Sequence, residues 1–105
     1  MSKEIREEQF KELVLKEDNI LKIVDFHAVW CNPCKMLAPV LDELQVVNSD
    51  IEIYSMDVDQ NSRIADELDI NSVPSIFFYK NGKIEKILVG FHPLPNLQAE
   101  VDNLK

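Results

Sequence analysis

Trp30-Cys31-Asn32-Pro33-Cys34-Lys35 holds both cysteines of the chain, with two residues between them. The apolar run Ile20-Leu21-Lys22-Ile23-Val24-Asp25-Phe26 precedes it, and a helical pattern of Met36, Leu37, Val40, Leu41 and Leu44 follows. A Cys-x-x-Cys pair where a strand passes into a helix suits two-electron exchange between a dithiol and a disulfide. A helix start leaves N–H groups unpaired and carries partial positive charge, which stabilises a thiolate. Cys31 is therefore predicted to be the exposed attacking thiolate, beside Trp30. Cys34 lies one turn in on the same face, so the sulfurs can close without backbone movement. It is predicted to be the more buried, resolving thiol. Two rival readings remain at this point. Both cysteines can be small core residues, or part of a zinc site. Zinc would need four ligands, and only His27 and His92 remain as soft donors, so no metal is expected.

Asp25 is a carboxylate inside an apolar strand, where desolvation should raise its pKa. The alternative is a strand-end aspartate with a solvated side chain. Pro33 falls in the first helical turn, where a missing N–H costs little and a fixed φ helps the helix begin. His27 can tune the dithiol or simply pack beside it. His92 sits in a Pro-containing loop and is expected to be solvated. The acidic pairs Asp57/Asp59 and Glu7/Glu8 read as solvated faces and capping charges.

The elements that must position these groups follow from periodicity. Residues 6–17 read as an acidic amphipathic helix with Phe10, Leu13 and Val14 on one face. Residues 20–28 read as a central strand buried on both sides. A helix from about 31 to 48 contains Pro39, which removes one backbone bond and should bend it. Residues 51–58 read as a further strand. Asn61 or Ser62 can cap a short helix through Ile64, Ala65 and Leu68. Residues 76–79 and 84–89 flank Asn81-Gly82, the preferred type I′ hairpin turn. A last helix spans about 94–104, with Leu94, Leu97, Val101 and Leu104 facing the sheet. Only Ile5 is available for a strand before the first helix, so that strand is short or missing. The early strand–helix–strand unit needs a parallel crossover and the late hairpin is antiparallel. The expected architecture is α/β, a central mixed β-sheet flanked by helices on both faces.

At 105 residues the chain reads as one domain over 1–105, with no repeat or linker. A hydrophobic content of 46% is enough for a core without disulfide staples. The formal net charge of −8 argues against nucleic acid and anionic membrane surfaces as partners. No apolar stretch approaches the length of a membrane span. Met1-Ser2-Lys3-Glu4-Ile5-Arg6-Glu7-Glu8 has no apolar core for a signal peptide. A single working cysteine pair in so acidic a chain fits a reducing, cytoplasmic setting.

Several spaced segments carry a resemblance to one family. Residues 25–39, Asp25-Phe26-His27-Ala28-Val29-Trp30-Cys31-Asn32-Pro33-Cys34-Lys35-Met36-Leu37-Ala38-Pro39, resemble the active-site segment of thioredoxins. Ser72-Val73-Pro74-Ser75-Ile76-Phe77-Phe78 resembles the family's cis-proline segment. Asp57-Val58-Asp59-Gln60-Asn61, Lys80-Asn81-Gly82-Lys83 and Val89-Gly90 follow in the family's order. The resemblance runs from about residue 10 to the end and implies the thioredoxin fold. It implies that Asp25 lies behind the dithiol and helps move the proton of Cys34. It implies a cis Pro74 beside the cysteines, with Val73 offering backbone groups to an extended substrate. Gly90 then lines the substrate groove, and Trp30, Pro74 and Gly90 form an apolar rim around Cys31. Asn32 stands where glycine is commonest, so Asn32 and Pro33 are candidates for tuning the potential. Ser55 stands where bacterial relatives often carry a lysine, which should leave Asp25 harder to ionise.

The resemblance also implies a protein-disulfide reductase. It would act on diverse disulfide-containing proteins as a monomer without a bound cofactor. A flavin-dependent thioredoxin reductase fed by NADPH would restore the dithiol. A more oxidising exchange protein is the nearest alternative in chemistry. A redox-independent binding module using the same groove is the alternative in kind, although scaffolding alone requires none of Cys31, Cys34, Asp25 or Pro74.

Overall fold

The computed structural model describes residues 2–105. In chain order the elements are β1 (Lys3–Glu4), α1 (Glu7–Leu13), β2 (Lys22–His27), α2 (Asn32–Val47) and β3 (Glu52–Asp57). They continue with α3 (Ser62–Glu67), β4 (Ser75–Lys80), β5 (Lys83–Val89) and α4 (Leu94–Leu104). Among the described residues, five strands form one sheet in the order β1-β3-β2-β4-β5. β1, β3 and β2 run parallel, whereas β4 pairs antiparallel with both β2 and β5. This is the mixed sheet that the strand–helix–strand unit and the late hairpin require.

Alternation along β2 sends its side chains to two different cores. Leu21 and Ile23 join Leu37, Leu41 and Leu44 of α2 and Leu97 and Val101 of α4. Val24 and Phe26 join Phe10 of α1, Ile64 of α3 and the rings of Phe77 and Tyr79. Phe26 meets Phe77 edge-on, with ring centroids 5.1 Å apart. With both faces covered, β2 is the buried strand predicted from its apolar run.

The first strand is present but short, as Lys3–Glu4 rather than at Ile5. Ile5 lies just beyond it, buried, its N–H donating to the Ser55 carbonyl at 2.9 Å. α1 ends four residues before the predicted limit. The segment beyond it turns around Lys22, whose buried ammonium donates to Asp18 and to the carbonyls of Lys16 and Ile20. Asn81 and Gly82 take positive φ values of 52° and 79°, the pair of left-handed residues that a type I′ turn demands. Asn61 occupies the predicted N-cap position of α3, yet its side chain does not cap that helix. It accepts the Glu7 N–H at 2.8 Å and donates to the Asp57 carbonyl. The cap comes instead from α1, where Glu7 Oε1 accepts the Ile64 N–H at 3.1 Å.

Candidate functional site

β2 ends at His27, and four residues carry the chain from there to α2. The Cys31 N–H donates to the Ala28 carbonyl at 3.2 Å, closing a turn that sets Cys31 as the N-cap of α2. Cys31 Sγ accepts the Cys34 N–H at 3.2 Å, so a helix-start donor is aimed at that sulfur. The two cysteines are joined as a disulfide, with Cα atoms 5.3 Å apart. Asn32 and Pro33 span the loop with exposed side chains.

The predicted contrast in burial between the two cysteines is not present. Cys31 is 4% exposed and Cys34 is 5% exposed, both packed on Ala28, Val58 and Val73. In the oxidised state each sulfur covers the other, so burial cannot separate their roles. The separating feature is the Cys34 N–H directed at Cys31.

Val73 and Pro74 arrive from the loop before β4, joined by a cis peptide bond as the resemblance implied. The Val73 carbonyl lies 3.7 Å from Cys31 Sγ. Gly90 follows β5 with φ +88°, and its N–H donates to the Pro74 carbonyl at 2.8 Å. A Cβ at Gly90 would meet nothing within 4 Å, so backbone conformation is what calls for glycine there within the chain. Pro74 itself is buried. Its carbonyl is tied to Gly90, and the residue before it reaches Cys31. The exposed apolar surface comes from Val29 and Trp30 on one side, and from Val89 and Phe91 flanking Gly90 on the other.

Trp30 is 67% exposed, and it is anchored rather than loose. Its Nε1 donates to Asp59 Oδ2 at 2.9 Å. Asp59 is in turn placed by its N–H, which donates to Asp57 Oδ1 at 2.9 Å. The Asp57/Asp59 pair is thus not merely a solvated face. Sequence reasoning missed Asp59 as a partner of the indole. Its place just beyond β3, the parallel neighbour of β2, was the available signal.

Asp25 lies on the α2 side of the sheet, 3% exposed, and among the described residues its Oδ1 has no hydrogen-bond partner. Burial pushes its pKa up to about 7, His27 pulls it down, and Glu4 pushes it up. A crevice of about 350 Å³ joins it to Cys34, and Glu4, His27, Ser55 and Lys35 also line that space. Asp25, and not a solvated strand-end carboxylate, is therefore what stands behind the disulfide. Ser55 is its register neighbour on β3, and Ser55 Oγ lies 2.6 Å from Ser2 Oγ. His27 is partly exposed and does more than pack. Its Nε2 sits 3.0 Å and 3.2 Å from the two carboxylate oxygens of Glu4. His92 stands apart, partly exposed, with Nε2 3.3 Å from the Val89 carbonyl.

Comparison with known proteins agrees with this geometry. The sequence model of the thioredoxin family matches residues 1–103. Thioredoxin-2 of Saccharomyces cerevisiae is 40% identical over 84 residues, 80% of this chain and 81% of that protein. The thioredoxin of Rickettsia bellii is 34% identical over 104 residues, 98% of each chain. Among solved structures, the Malassezia sympodialis thioredoxin Mala s 13 superposes with a TM-score of 0.86 at 34% identity. That alignment covers 99% of this chain and 90% of the other.

Proposed function

Since the chain belongs to the thioredoxin family, we propose that it is a general reductase of protein disulfides, with Cys31 as nucleophile and Cys34 as resolving thiol. It is a protein-disulfide oxidoreductase working by dithiol–disulfide exchange. In the first step the Cys31 thiolate attacks one sulfur of a substrate disulfide. A Cys31–substrate bond forms, the substrate bond breaks, and the other substrate sulfur leaves as a thiolate that takes a proton from water. Asp25 accepts the Cys34 proton. The Cys34 thiolate then attacks Cys31 Sγ and expels the second substrate sulfur as a thiolate, which is protonated from solvent as Asp25 returns its proton there. Two substrate thiols are gained, and the protein is left as the disulfide.

The observation that carries this reading is the Cys34 N–H directed at Cys31 Sγ at 3.2 Å. That donor favours charge on Cys31 in the reduced protein and leaves Cys34 needing a base. Asp25 shares the crevice with it. Val73 and Gly90 border the sulfur as a short run of backbone for an extended substrate, with Pro74 beneath. Trp30, held by Asp59, supplies a flat apolar contact. Asn32 and Pro33 lie in the ring that must open and close, so they tune the potential, and His27 is a further tuning residue of the site.

Residues 1–105 act as one unit and as a monomer. Substrates are diverse disulfide-containing proteins, with no nucleic acid or membrane partner and no metal. No cofactor is bound, and NADPH supplies electrons through a flavin-dependent thioredoxin reductase in the cytoplasm. No helix of the described residues is long and apolar enough to cross a membrane. The test is Cys34→Ser, which removes the resolving attack. It is expected to accumulate thiol-reversible adducts with disulfide proteins through Cys31. Absence of such adducts overturns the mechanism, and complexes that survive joint Cys31→Ser and Cys34→Ser substitution mark a scaffold instead.

A further inference from the structure

The register of the sheet places Asp25 in a row with groups that the exchange chemistry does not use. Asp25 on β2 pairs with Ser55 on β3, and Ser55 pairs with Glu4 on β1. Register partners present their side chains on the same face, so Asp25, Ser55 and Glu4 cross the sheet in one line. His27 is two residues along β2 from Asp25 and so shares that face. Its ring reaches over β3 to Glu4, with Nε2 3.0 Å from Oε1. The two strands that frame the row are thereby bridged above it, and all four groups line the crevice that reaches Cys34.

Among the described residues, β3 also presents Asp57 on this face, as the register partner of His27. β4 presents Ile76 opposite it. α2 contributes Cys34 and the exposed Lys35 to the crevice. Asp42 of the same helix accepts the Ser2 N–H at 3.0 Å. His27 is a protonatable group on the carboxylate's own strand and face, and Glu4 fixes where it sits.

We propose that His27, held over the crevice by Glu4, is a positioning residue for Asp25 that sets the protonation of the carboxylate behind Cys34. The inference rests on the reading of Asp25 as the base for Cys34. When the imidazole carries a proton, it favours the ionised carboxylate, the form able to accept the Cys34 proton. Glu4 keeps the cation near by pairing with it, although its own charge opposes ionisation of Asp25.

The experiment measures two things across pH 5–9 in wild type, His27→Phe and His27→Lys. One is the side-chain carbonyl carbon shift of Asp25 in the oxidised protein, by NMR. The other is the single-turnover rate at which a Cys31 mixed disulfide with a small aromatic thiol resolves. Because His27 is partly exposed, the phenylalanine variant should fold, and near-ultraviolet circular dichroism checks that it does. His27→Phe is expected to raise the Asp25 midpoint by about half a unit to one unit. Resolution at pH 7 should then fall roughly two- to fivefold, by the shift in carboxylate fraction. His27→Lys keeps a cation beside Glu4 and should bring the midpoint back toward wild type. An unshifted Asp25 midpoint in His27→Phe overturns the proposal. So does a rate loss without a midpoint shift, or one that His27→Lys fails to reverse. A midpoint that shifts in the NMR titration while resolution ignores it upholds the His27–Asp25 link and overturns the role of Asp25 as base.

Discussion

Lys22 and Asp25 are buried charged residues on the same strand, 1% and 3% exposed, and the protein treats them in opposite ways. Lys22, near the start of β2, is fully supplied with partners. Its ammonium donates to Asp18 and to the carbonyls of Lys16 and Ile20. Asp18 responds with a pKa below its usual value, chiefly through that hydrogen bond. Asp25, near the end of β2, has an oxygen with no hydrogen-bond partner among the described residues, and burial lifts its pKa. A charge with every valence met holds a turn in place. A carboxylate denied partners is costly to ionise and is kept where a proton must move. Stability is built at one end of the strand and spent at the other.

The largest expected effect tests the spent end. Asp25→Asn should slow mixed-disulfide resolution at pH 7 by about a hundredfold, the lower range for loss of a general base. It should also stabilise the fold, with a sign fixed by linkage. The Asp25 pKa is raised from 3.8 to about 7, so its favourable contribution is complete below the unfolded value and is lost as pH rises through about 7. The variant should therefore match wild type near pH 3 and exceed it by a few kcal/mol, at most about 4, at pH 8. Urea denaturation at both pH values measures this. A variant less stable at pH 8, with resolution unimpaired, would make Asp25 a second Lys22.

A smaller effect is expected at the other end. Lys22→Met removes the ammonium and leaves Asp18, which is partly exposed and can regain water. The loss near neutral pH should be about 1 kcal/mol, with resolution unchanged. The sign is opposite to that of Asp25. The lowered pKa of Asp18 contributes stability above its unfolded value, and wild type loses it as pH falls through the folded value, whereas Lys22→Met keeps only the backbone hydrogen bonds to Asp18 and should show a smaller loss. A cost of several kcal/mol would mean that the carbonyls, and not Asp18, dominate the site.

The smallest effect is the coupling between the two. Lys22 and Asp25 point to opposite faces of the sheet and share no partner. The double variant should equal the sum of the singles within about 0.5 kcal/mol. A larger coupling in a double-mutant cycle would show that β2 transmits strain between its ends.

What could be read from sequence was whatever repeats locally. Leu37, Leu41 and Leu44 mark the buried face of α2 by spacing alone, and Asn81-Gly82 fixes the hairpin through the φ values it permits. The cysteines and Asp25 were legible because a strand and a helix meet between them. The partners of these groups were not. Asp59 reaches Trp30, and Glu4 reaches His27, only after β1 and β3 align beside β2. The partners of Lys22 were hidden because they follow a turn that the helical pattern of α1 did not disclose. Burial of Pro74 and of Cys31 likewise depends on what folds over them.

The exchange of caps between α1 and α3 has a consequence for how this molecule opens. Each helix is about two turns or fewer, seven and six residues, well short of the length at which a helix persists alone. Glu7 satisfies a donor of α3 while Asn61 satisfies a donor of α1, so neither end can fray without uncapping the other. The amides of Glu7 and Ile64, 57 residues apart in sequence, should therefore lose protection against deuterium in one shared opening event. On this account the layer covering the aromatic side of the sheet breathes as a pair, while α2 keeps the disulfide in place on the other side.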